Sequence, residues 1–595
     1  MSSLLRKRLS QIYSGNRFDK IAGILSILGV CLLIFDLGFT HIQSEENILR
    51  TLYYCIIIPG FLIVLTRCLI SSEETPGKVL VFDWILTILF GLLLLIRLDF
   101  ILEKIGYLKI FNQMGWVYFS ILLFFIREIS SFKVNFKKDY LNPAQLFVAS
   151  FLFIIFLGTI FLLMPKATHS GISLIDALFT ATSAVCVTGL IVVDTGSYFT
   201  AFGQSIIMIL IQLGGLGIMT FASYFSYFFR GNTSYANQLM LKDISNSEKI
   251  GEVFMVLKKI LLLTFSIEAI GALFIYFNLD SSIISSVTER IFFSVFHSIS
   301  GFCNAGFSTL ENSLYEPEFR FNYPLHLILA GLFILGGIGF PILLNLYKYV
   351  RYYLLRKLQK FKDPNRAKYL PWVLNLNSRI VLTTSFILLL IGTGVFYVFE
   401  YNNTLSEHSA FGKIVTAFFG AATPRTAGFN SIDTSALHFS TLMLMFLLMW
   451  IGASPASNGG GIKTSTFALA TLNFFSLAKG KDRIEVYKRE VSNISIRRAF
   501  AIISLSLLVI GVSLSIISFL DPEKGIIAIA FEAFSAYSTV GLSMGITADL
   551  SSGSKIVIIA TMFIGRVSML TLLIAILRDI KHLNYRYPSE EILIN

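Results

Sequence analysis

The sequence has 595 residues, a formal net charge of +12 and 55% hydrophobic residues, whereas charged residues make up only 14%. An average soluble protein is about 25% charged, so this chain has too few charges for a soluble surface of its size. The composition therefore excludes a soluble enzyme, a disordered chain and a basic nucleic-acid-binding protein. It predicts an integral membrane protein.

Cysteine usage and catalytic motifs indicate neither a disulfide framework nor an enzyme. The five cysteines are odd in number and no pair has metal-ligand spacing. The chain contains no HExxH, no GxSxG and no Cys–His arrangement, so we expect no catalytic residues and no covalent cofactor.

Apolar stretches long enough to cross about 30 Å of hydrocarbon recur along the chain. Four lie near 20–41, 50–71, 79–98 and 109–127. Eight more lie near 145–164, 204–228, 257–278, 323–347, 378–400, 437–475, 498–519 and 553–578. Shorter stretches near 174–186, 287–302, 409–422 and 525–538 are too short to span and predict re-entrant helices. From residue 145 the order long, short, long occurs four times.

The four short stretches share a pattern that indicates internal duplication. They read FTATSAVCVTGL (179–190), FHSISGFCNAGF (296–307), FFGAATPRTAGF (418–429) and FEAFSAYSTVGL (531–542). Each has a phenylalanine ten positions before a glycine, and the glycines Gly189, Gly306, Gly428 and Gly541 are 117, 122 and 113 residues apart.

This pattern favours a cation pore. A short helix entering from outside directs its negative C-terminal end toward mid-membrane, where it favours a cation. A glycine-containing return can present carbonyl oxygens that replace the water shell of the ion. The alternative is four interfacial helices with ordinary glycine caps. Four matched offsets, each between two spans, favour the pore.

Basic residues predict the orientation of the chain. The connections between successive repeats carry 25 lysines and arginines, against seven on the opposite side of the core. The positive-inside rule therefore places those connections, and with them both termini, in the cytoplasm. The connection at 97–109 departs from the rule, because it would lie outside yet carries Arg97, Lys104 and Lys109.

These segments resemble the Trk/Ktr/HKT superfamily of potassium transporters, most closely the bacterial Ktr and Trk membrane subunits. The resemblance covers about 140–580 and rests on TSAVCVTGL, GFCNAGFSTLENS, TPRTAGFN, YSTVGLSMG, GASPASNGGGIKTST and FIGRV. It implies an all-α membrane protein with four tandem helix–pore loop–helix repeats around a central ion pathway. The implied repeats are 141–235, 236–360, 361–485 and 486–580, after extra N-terminal helices in 1–140 and before a cytoplasmic tail at 581–595.

The resemblance also implies a K⁺ filter at the centre of the repeats. Its residues are Cys186, Val187, Thr188 and Gly189; Cys303, Asn304, Ala305 and Gly306; Arg425, Thr426, Ala427 and Gly428; and Ser538, Thr539, Val540 and Gly541. Members of the superfamily that prefer Na⁺ often carry serine at the first glycine, so Gly189 indicates K⁺. The four segments share little besides glycine, which predicts an asymmetric ring and modest selectivity.

Charged residues beside the filter allow two interpretations each. Arg425 would repel cations from the axis, so we expect its side chain to point away and hold the filter from behind. Asp194, Glu311, Asp433 and Asp549 follow the glycines by five to eight residues. They either form an acidic outer vestibule, above all Asp194 and Asp433, or are solvated loop residues.

Small-residue breaks interrupt the second long helix of each repeat. We interpret GGLG (214–217) and GGIG (336–339) as tight helix packing. The third break has no sustained helical propensity and divides 437–475, so it should face the pore. The resemblance makes 452–466 an intramembrane gating loop, with Gly452, Ser454, Pro455, Asn458, Gly459, Gly460, Gly461 and Lys463.

Arg566 lies in an apolar helix, 25 residues after Gly541. An ionisable residue at that depth faces a cavity or a partner. We favour a positive charge that limits cation flow at the gate, over an arginine that only bonds backbone carbonyls. Asp36 and Asp83 lie in N-terminal spans and either mark an ion path or make packing contacts, and we interpret His297 as a packing residue.

The predicted function is channel-like uptake of K⁺, with Na⁺ as a second candidate ion, across a bacterial cytoplasmic membrane. The alternative is a Na⁺- or H⁺-coupled secondary transporter with alternating access. The resemblance implies a homodimer and a separate cytosolic nucleotide-binding subunit of the RCK type. The basic loops at 348–379 and 479–498 could dock that subunit or contact anionic lipid.

Overall fold

The computed structural model describes residues 15–70, 77–97, 113–131, 143–216, 253–362 and 373–577. These residues form helices joined by short loops, together with a hairpin of β1 (Glu485–Val486) and β2 (Arg489–Glu490). Six described helices are long and apolar enough to cross a membrane, and two sharply bent helix pairs also qualify when each pair is counted as one span. The all-α membrane architecture is thus confirmed.

The first four helices form an N-terminal bundle. They are α1 (Gly15–Gly38), α2 (Gln43–Ile70), α3 (Gly77–Arg97) and α4 (Met114–Ser131). Their shared core includes the fully buried Tyr53, Ile57, Phe90 and Phe124. Helices are therefore present at all four predicted N-terminal stretches, and α1, α2 and α3 are long and apolar enough to span a membrane.

Buried acids link the helices of this bundle. The Asp36 carboxylate accepts hydrogen bonds from Tyr53 at 2.9 Å and Tyr118 at 2.8 Å. The Asp83 carboxylate pairs with the Arg127 guanidinium, Nε to Oδ1, at 2.7 Å. Asp36 and Asp83 thus make the helix-packing contacts that were the alternative to an ion path.

The rest of the described chain supplies fifteen helices that surround a common centre. They are α5 (Pro143–Leu162), α6 (Leu174–Cys186), α7 (Ala201–Leu216), α8 (Val253–Asn278), α9 (Val287–Phe302), α10 (Tyr323–Ile338), α11 (Phe340–Lys362), α12 (Leu376–Glu400), α13 (Ala410–Ala422), α14 (Phe439–Trp450), α15 (Thr464–Ala478), α16 (Asn493–Leu520), α17 (Ile526–Ser538), α18 (Ser552–Val567) and α19 (Met569–Ile576). The short helices α6, α9, α13 and α17 match the four predicted re-entrant stretches.

Packing between these helices closes a ring. The short helix α9 packs on α7, α13 packs on α10, α17 packs on α14, and α6 packs on α18. Each short helix thus contacts the first helix after the glycine segment of the preceding unit, and the first unit contacts the last. This arrangement brings the C-terminal ends of the four short helices together.

Three predicted spans are not continuous helices. The stretch 323–347 breaks at Gly339, where φ is +92° and α10 and α11 meet at a bend of 104°. The stretch 553–578 breaks at Ser568, where α18 and α19 meet at 88°. Each of these two stretches is a sharply bent helix pair, and hydropathy did not predict the bends because it measures length and not direction. The division of 437–475 is confirmed by the separation of α14 from α15. Of the predicted 204–228 span, the part after Leu216 lies outside the described residues.

Candidate functional site: a ring of four glycine segments

The short helices begin with local capping that their sequences dictate. Ser173, Ser286 and Ser409 precede α6, α9 and α13, and each hydroxyl accepts a hydrogen bond from a backbone N–H in the first turn. Such caps satisfy donors that a helix start leaves unpaired. These three helices therefore start at a defined residue, whereas α17 follows Gly525 and has no side-chain cap.

The glycines that follow the four helices approach one another in chain order. Their φ angles are +90° at Gly189, +70° at Gly306, +77° at Gly428 and +94° at Gly541. A Cβ atom added to any of them would lie less than 3.0 Å from the carbonyl oxygen that precedes the next glycine, and Gly541 meets the carbonyl of Thr188 in this way. The four segments therefore close a ring in which the backbones touch and side chains cannot fit.

A second residue in each segment adopts the left-handed conformation. Val187, Asn304, Thr426 and Thr539 each lie two positions before the glycine and have φ between +49° and +70°. Non-glycine residues in this region are strained and cluster at functional sites. Two left-handed positions separated by one residue fit the expectation that successive carbonyls can face the same way.

Hydroxyl side chains tie the returning backbone to the short helices, and sequence reasoning missed them. The hydroxyls of Ser183 and Ser300 donate to the carbonyls of Leu190 and Phe307, each at 2.7 Å. Ser535 accepts from the backbone N–H of Gly541 at 3.1 Å. All three serines lie six residues before the filter glycine, so the aligned segments did contain this signal.

In the third segment the tie comes from a neighbouring position. Thr423, five residues before Gly428, donates to the carbonyl of Phe429 at 2.7 Å.

His297 is buried and bonded at both ring nitrogens, to Phe293 O and to Ser308 Oγ, each at 2.9 Å. Its imidazole is therefore fully enclosed, as expected of a packing residue, and it also makes a specific contact with the segment after Gly306.

A cavity of about 280 Å³ opens above the ring. All four glycines line it, together with Asp194 and Glu311. Asp433 lies outside this lining and instead accepts hydrogen bonds from Ser435 at the start of a 3₁₀ turn. Asp549 is exposed and pairs with Lys524. Asp194 and Glu311 therefore line this cavity, whereas Asp433 and Asp549 do not, and a vestibule role for these acids stays a prediction.

Asp194 gives a prediction for the effect of pH. Burial raises the pKa of this carboxyl, and the charge of Glu311 raises it further. As pH falls, Asp194 is therefore neutralised at a higher pH than an ordinary aspartate, and the vestibule attracts cations less. We expect Asp194→Asn to lower uptake at subsaturating K⁺ about two- to fivefold at neutral pH and to flatten the acidic decline. Asp549→Asn is the control, and an unchanged pH profile in Asp194→Asn would contradict this role.

Arg425 points away from the centre of the ring. Its guanidinium nitrogens lie 3.4 Å from the carbonyl and 3.2 Å from the hydroxyl of Ser385 on α12. The side chain borders an apolar cavity of about 200 Å³ behind the third segment. Arg425 therefore bonds α12 outside the ring, and its role in holding a filter stays a prediction.

The 452–463 segment lies directly against the ring. A side chain at Gly459 would collide with Thr426 Oγ1, and the backbone N–H of Gly460 donates to Thr539 Oγ1 at 2.9 Å. Asn458 Nδ2 donates to the carbonyl of Phe302 at 2.9 Å. The segment thus contacts residues of the second, third and fourth units. Its glycines allow this approach because they carry no side chain.

Two basic side chains bond adjacent backbone carbonyls of this segment, those of Asn458 and Gly459. Arg566 donates to the carbonyl of Asn458, and also to that of Gly214 at 2.6 Å. Lys463 Nζ donates to the carbonyl of Gly459 at 2.6 Å. Arg566 therefore bonds backbone carbonyls, which was the interpretation we favoured less. One of those carbonyls belongs to the segment predicted to gate.

The other small-residue breaks pack against the short helices. A Cβ atom on Gly214, Gly336 or Gly565 would strike the carbonyl oxygen of Val185, Phe302 or Tyr537 respectively. Each of these carbonyls lies four residues before a filter glycine. Tight packing is confirmed at Gly214 of GGLG and at Gly336 of GGIG, although the second segment also contains the break at Gly339. Gly217 of the first segment lies outside the described residues.

Known proteins share both the sequence and the fold of this chain. A family described as "TrkH: Cation transport protein" matches residues 113–583. Ktr system potassium uptake protein B of Bacillus subtilis is 35% identical over 453 residues, 76% of this chain and 96% of that protein. Potassium/sodium uptake protein NtpJ of Enterococcus hirae is 35% identical over 467 residues, 77% of this chain and 98% of that protein. The crystal structure of the potassium transporter TrkH from Vibrio parahaemolyticus superposes with a TM-score of 0.56 at 16% identity, covering 93% of this chain and 98% of that one.

Proposed function

The chain belongs to the TrkH family of cation transport proteins, and we propose that it takes up K⁺ across the cytoplasmic membrane through the ring of four glycine segments. The closed ring is the observation that carries this proposal, because a backbone oxygen of each segment lies beside the glycine of the segment before it in the ring. Carbonyl rings of this kind can replace the water shell of K⁺. The relatives named as potassium uptake proteins support the choice of ion.

Three parts of the proposed pathway follow from the contacts above. The vestibule with Asp194 and Glu311 concentrates cations. The four segments ending in Gly189, Gly306, Gly428 and Gly541 select among them. The segment 452–466, held by Arg566 and Lys463, gates the path on the opposite side of the ring.

We further propose that the chain works as a homodimer with a cytosolic nucleotide-binding subunit of the RCK type. The resemblance to the Ktr and Trk membrane subunits supports this partner. The basic connection that holds β1 and β2 is exposed and is a candidate docking surface. Copurification with such a subunit tests this part separately.

Na⁺ is the second candidate ion, because one relative is named a potassium/sodium uptake protein. A secondary transporter with alternating access would couple the two ions in fixed stoichiometry. The closed arrangement of parallel units favours a channel-like pore over inverted repeats. Ion fluxes in vesicles distinguish the two mechanisms.

Growth of a K⁺-uptake-deficient bacterium at low external K⁺ tests the proposal. We expect the wild-type chain to restore growth, and Gly189→Ser to lower the ratio of K⁺ to Na⁺ uptake about tenfold, because the added side chain would press on the Ala305 carbonyl. Gly394→Ala, at a helical glycine with open space around it, is the control. No growth, together with stoichiometric ion exchange in vesicles, would overturn the channel-like function.

A further inference from the structure

A buried acceptor lies behind the outer mouth of the ring in two of the four units. Nine positions before the filter glycine stand His297 in the second unit and Glu532 in the fourth, and both are 0% exposed. Each meets a serine two positions after the glycine, Ser308 and Ser543 respectively. The two pairs therefore occupy matched positions.

The hydrogen bonds in the two pairs run in the same direction. His297 Nδ1 lies 2.9 Å from the carbonyl of Phe293, which can only accept, so Nδ1 carries the proton and Nε2 accepts from Ser308 at 2.9 Å. The Glu532 carboxylate accepts from the Ser543 hydroxyl, and its other oxygen accepts from Thr547 at 3.0 Å. In both units the serine hydroxyl donates inward, away from the cavity.

The serines also receive the same backbone contact. Ser308 Oγ accepts from the N–H of Leu310 at 3.0 Å, and Ser543 Oγ accepts from the N–H of Gly545 at 2.9 Å. Both serines line the vestibule cavity. The buried acceptor thus sets the hydroxyl orientation, and the hydroxyl in turn sets the backbone that follows the filter glycine.

The other two units cannot form this pair. The corresponding positions hold Thr180 and Ile191 in the first unit, and Phe419 and Asn430 in the third. The side chains of Ile191 and Phe419 have no hydrogen-bonding group, so neither unit can form the pair. The ring runs in chain order, which places the second and fourth units opposite each other. Two opposite sides of the mouth are therefore held through hydrogen bonds to buried acceptors.

We propose that Glu532 and His297 are positioning residues that set K⁺ selectivity by holding Ser543 and Ser308 at the outer end of the ring. This inference rests on the proposed uptake function. It adds a structural cause of selectivity at the outer end of the ring. There, the serine hydroxyls donate hydrogen bonds to acceptors buried behind them, the imidazole of His297 in the second unit and the carboxyl group of Glu532 in the fourth.

The test compares the ratio of K⁺ to Na⁺ uptake in Glu532→Ala and Glu532→His. Loss of this buried hydrogen-bond acceptor is expected to lower the ratio about tenfold in Glu532→Ala. Glu532→His recreates the pair of the second unit and should keep the ratio within about twofold of wild type. Ser543→Ala should match Glu532→Ala, and the double variant should be no worse than either single one.

Thr180→Ala is the matched control, because Thr180 Oγ1 bonds back to the carbonyl of Asp176 within its own helix at 2.9 Å. An unchanged ratio in both Glu532→Ala and Ser543→Ala would overturn the inference, as would a Glu532→His variant no better than Glu532→Ala. Should Glu532→Ala be absent from the membrane, Ser543→Ala decides, since that side chain lines the cavity. Wild-type protein that takes up no K⁺ would overturn the proposed function and this inference together.

Discussion

Gly541→Ala is expected to abolish K⁺ uptake without removing the protein from the membrane. The residue has φ of +94°, a conformation that L side chains rarely adopt, and an added methyl group would meet the Thr188 carbonyl across the ring. Backbone strain of this kind costs about 1–3 kcal/mol, before the clash is counted. The carbonyl that must move belongs to the first segment, so one substitution distorts two sides of the ring. We expect at least a roughly hundredfold loss of uptake.

Equivalent substitutions in the other segments make this prediction specific. Gly428→Ala should have a similar effect, because its methyl group would meet the Val540 carbonyl. Gly511→Ala, at a glycine of α16 with open space around it, should leave uptake unchanged. Uptake and membrane abundance are measured together for all three variants. Normal K⁺ selectivity in Gly541→Ala would contradict a ring of contacting backbones.

Arg566→Ala is expected to increase K⁺ flux. The guanidinium links the carbonyls of Asn458 and Gly214, so it ties the 452–463 segment to the first unit. Its removal takes away this tether and a positive charge beside the segment. Hydrogen bonds to charged groups contribute about 1.5–3 kcal/mol, which corresponds to a roughly ten- to hundredfold change in the equilibrium between closed and open segments. K⁺ flux into vesicles containing the purified protein measures the effect.

Shortening the segment should act in the same direction as Arg566→Ala. Deleting Ser457 to Gly460 removes the contacts with Thr426 and Thr539, so flux should rise and Arg566→Ala should add little in that background. Lys555→Ala is the control, because it lies on the same helix but pairs with Asp176 at 2.8 Å. Unchanged flux in both Arg566→Ala and the deletion would rule out a gate built from these parts.

Local signals in the sequence were sufficient for the elements of the fold. Hydropathy predicted the four N-terminal helices and the four short helices, because the thickness of a membrane sets the length of an apolar stretch that can cross it. The glycine alignment brought the four segments together correctly, since backbone contact in the ring excludes every side chain. The same alignment contained Ser183, Ser300 and Ser535, whose shared offset was visible but not interpreted.

The directions of helices and the contacts of charged side chains could not be predicted from the sequence. The bend of 104° at Gly339 leaves hydropathy unchanged on either side, so the stretch looked like one span. Asp433 follows its glycine at a vestibule-like distance but caps a turn instead. Arg566 is a single charge in an apolar helix. Only the tertiary structure shows that its guanidinium donates hydrogen bonds to the carbonyls of Asn458 and Gly214.

By itself the sequence determined a membrane protein with four matched glycine segments, and it gave the excess positive charge a predicted cytoplasmic location. These properties depend on composition and on the spacing of residues, both of which can be read from the sequence alone. The tertiary structure decided which carbonyls the cations bind, which acids line the vestibule, and that Val187, Asn304, Thr426 and Thr539 adopt positive φ. Those outcomes depend on atoms from distant units meeting in the ring, and no local preference of a valine or threonine favours that conformation.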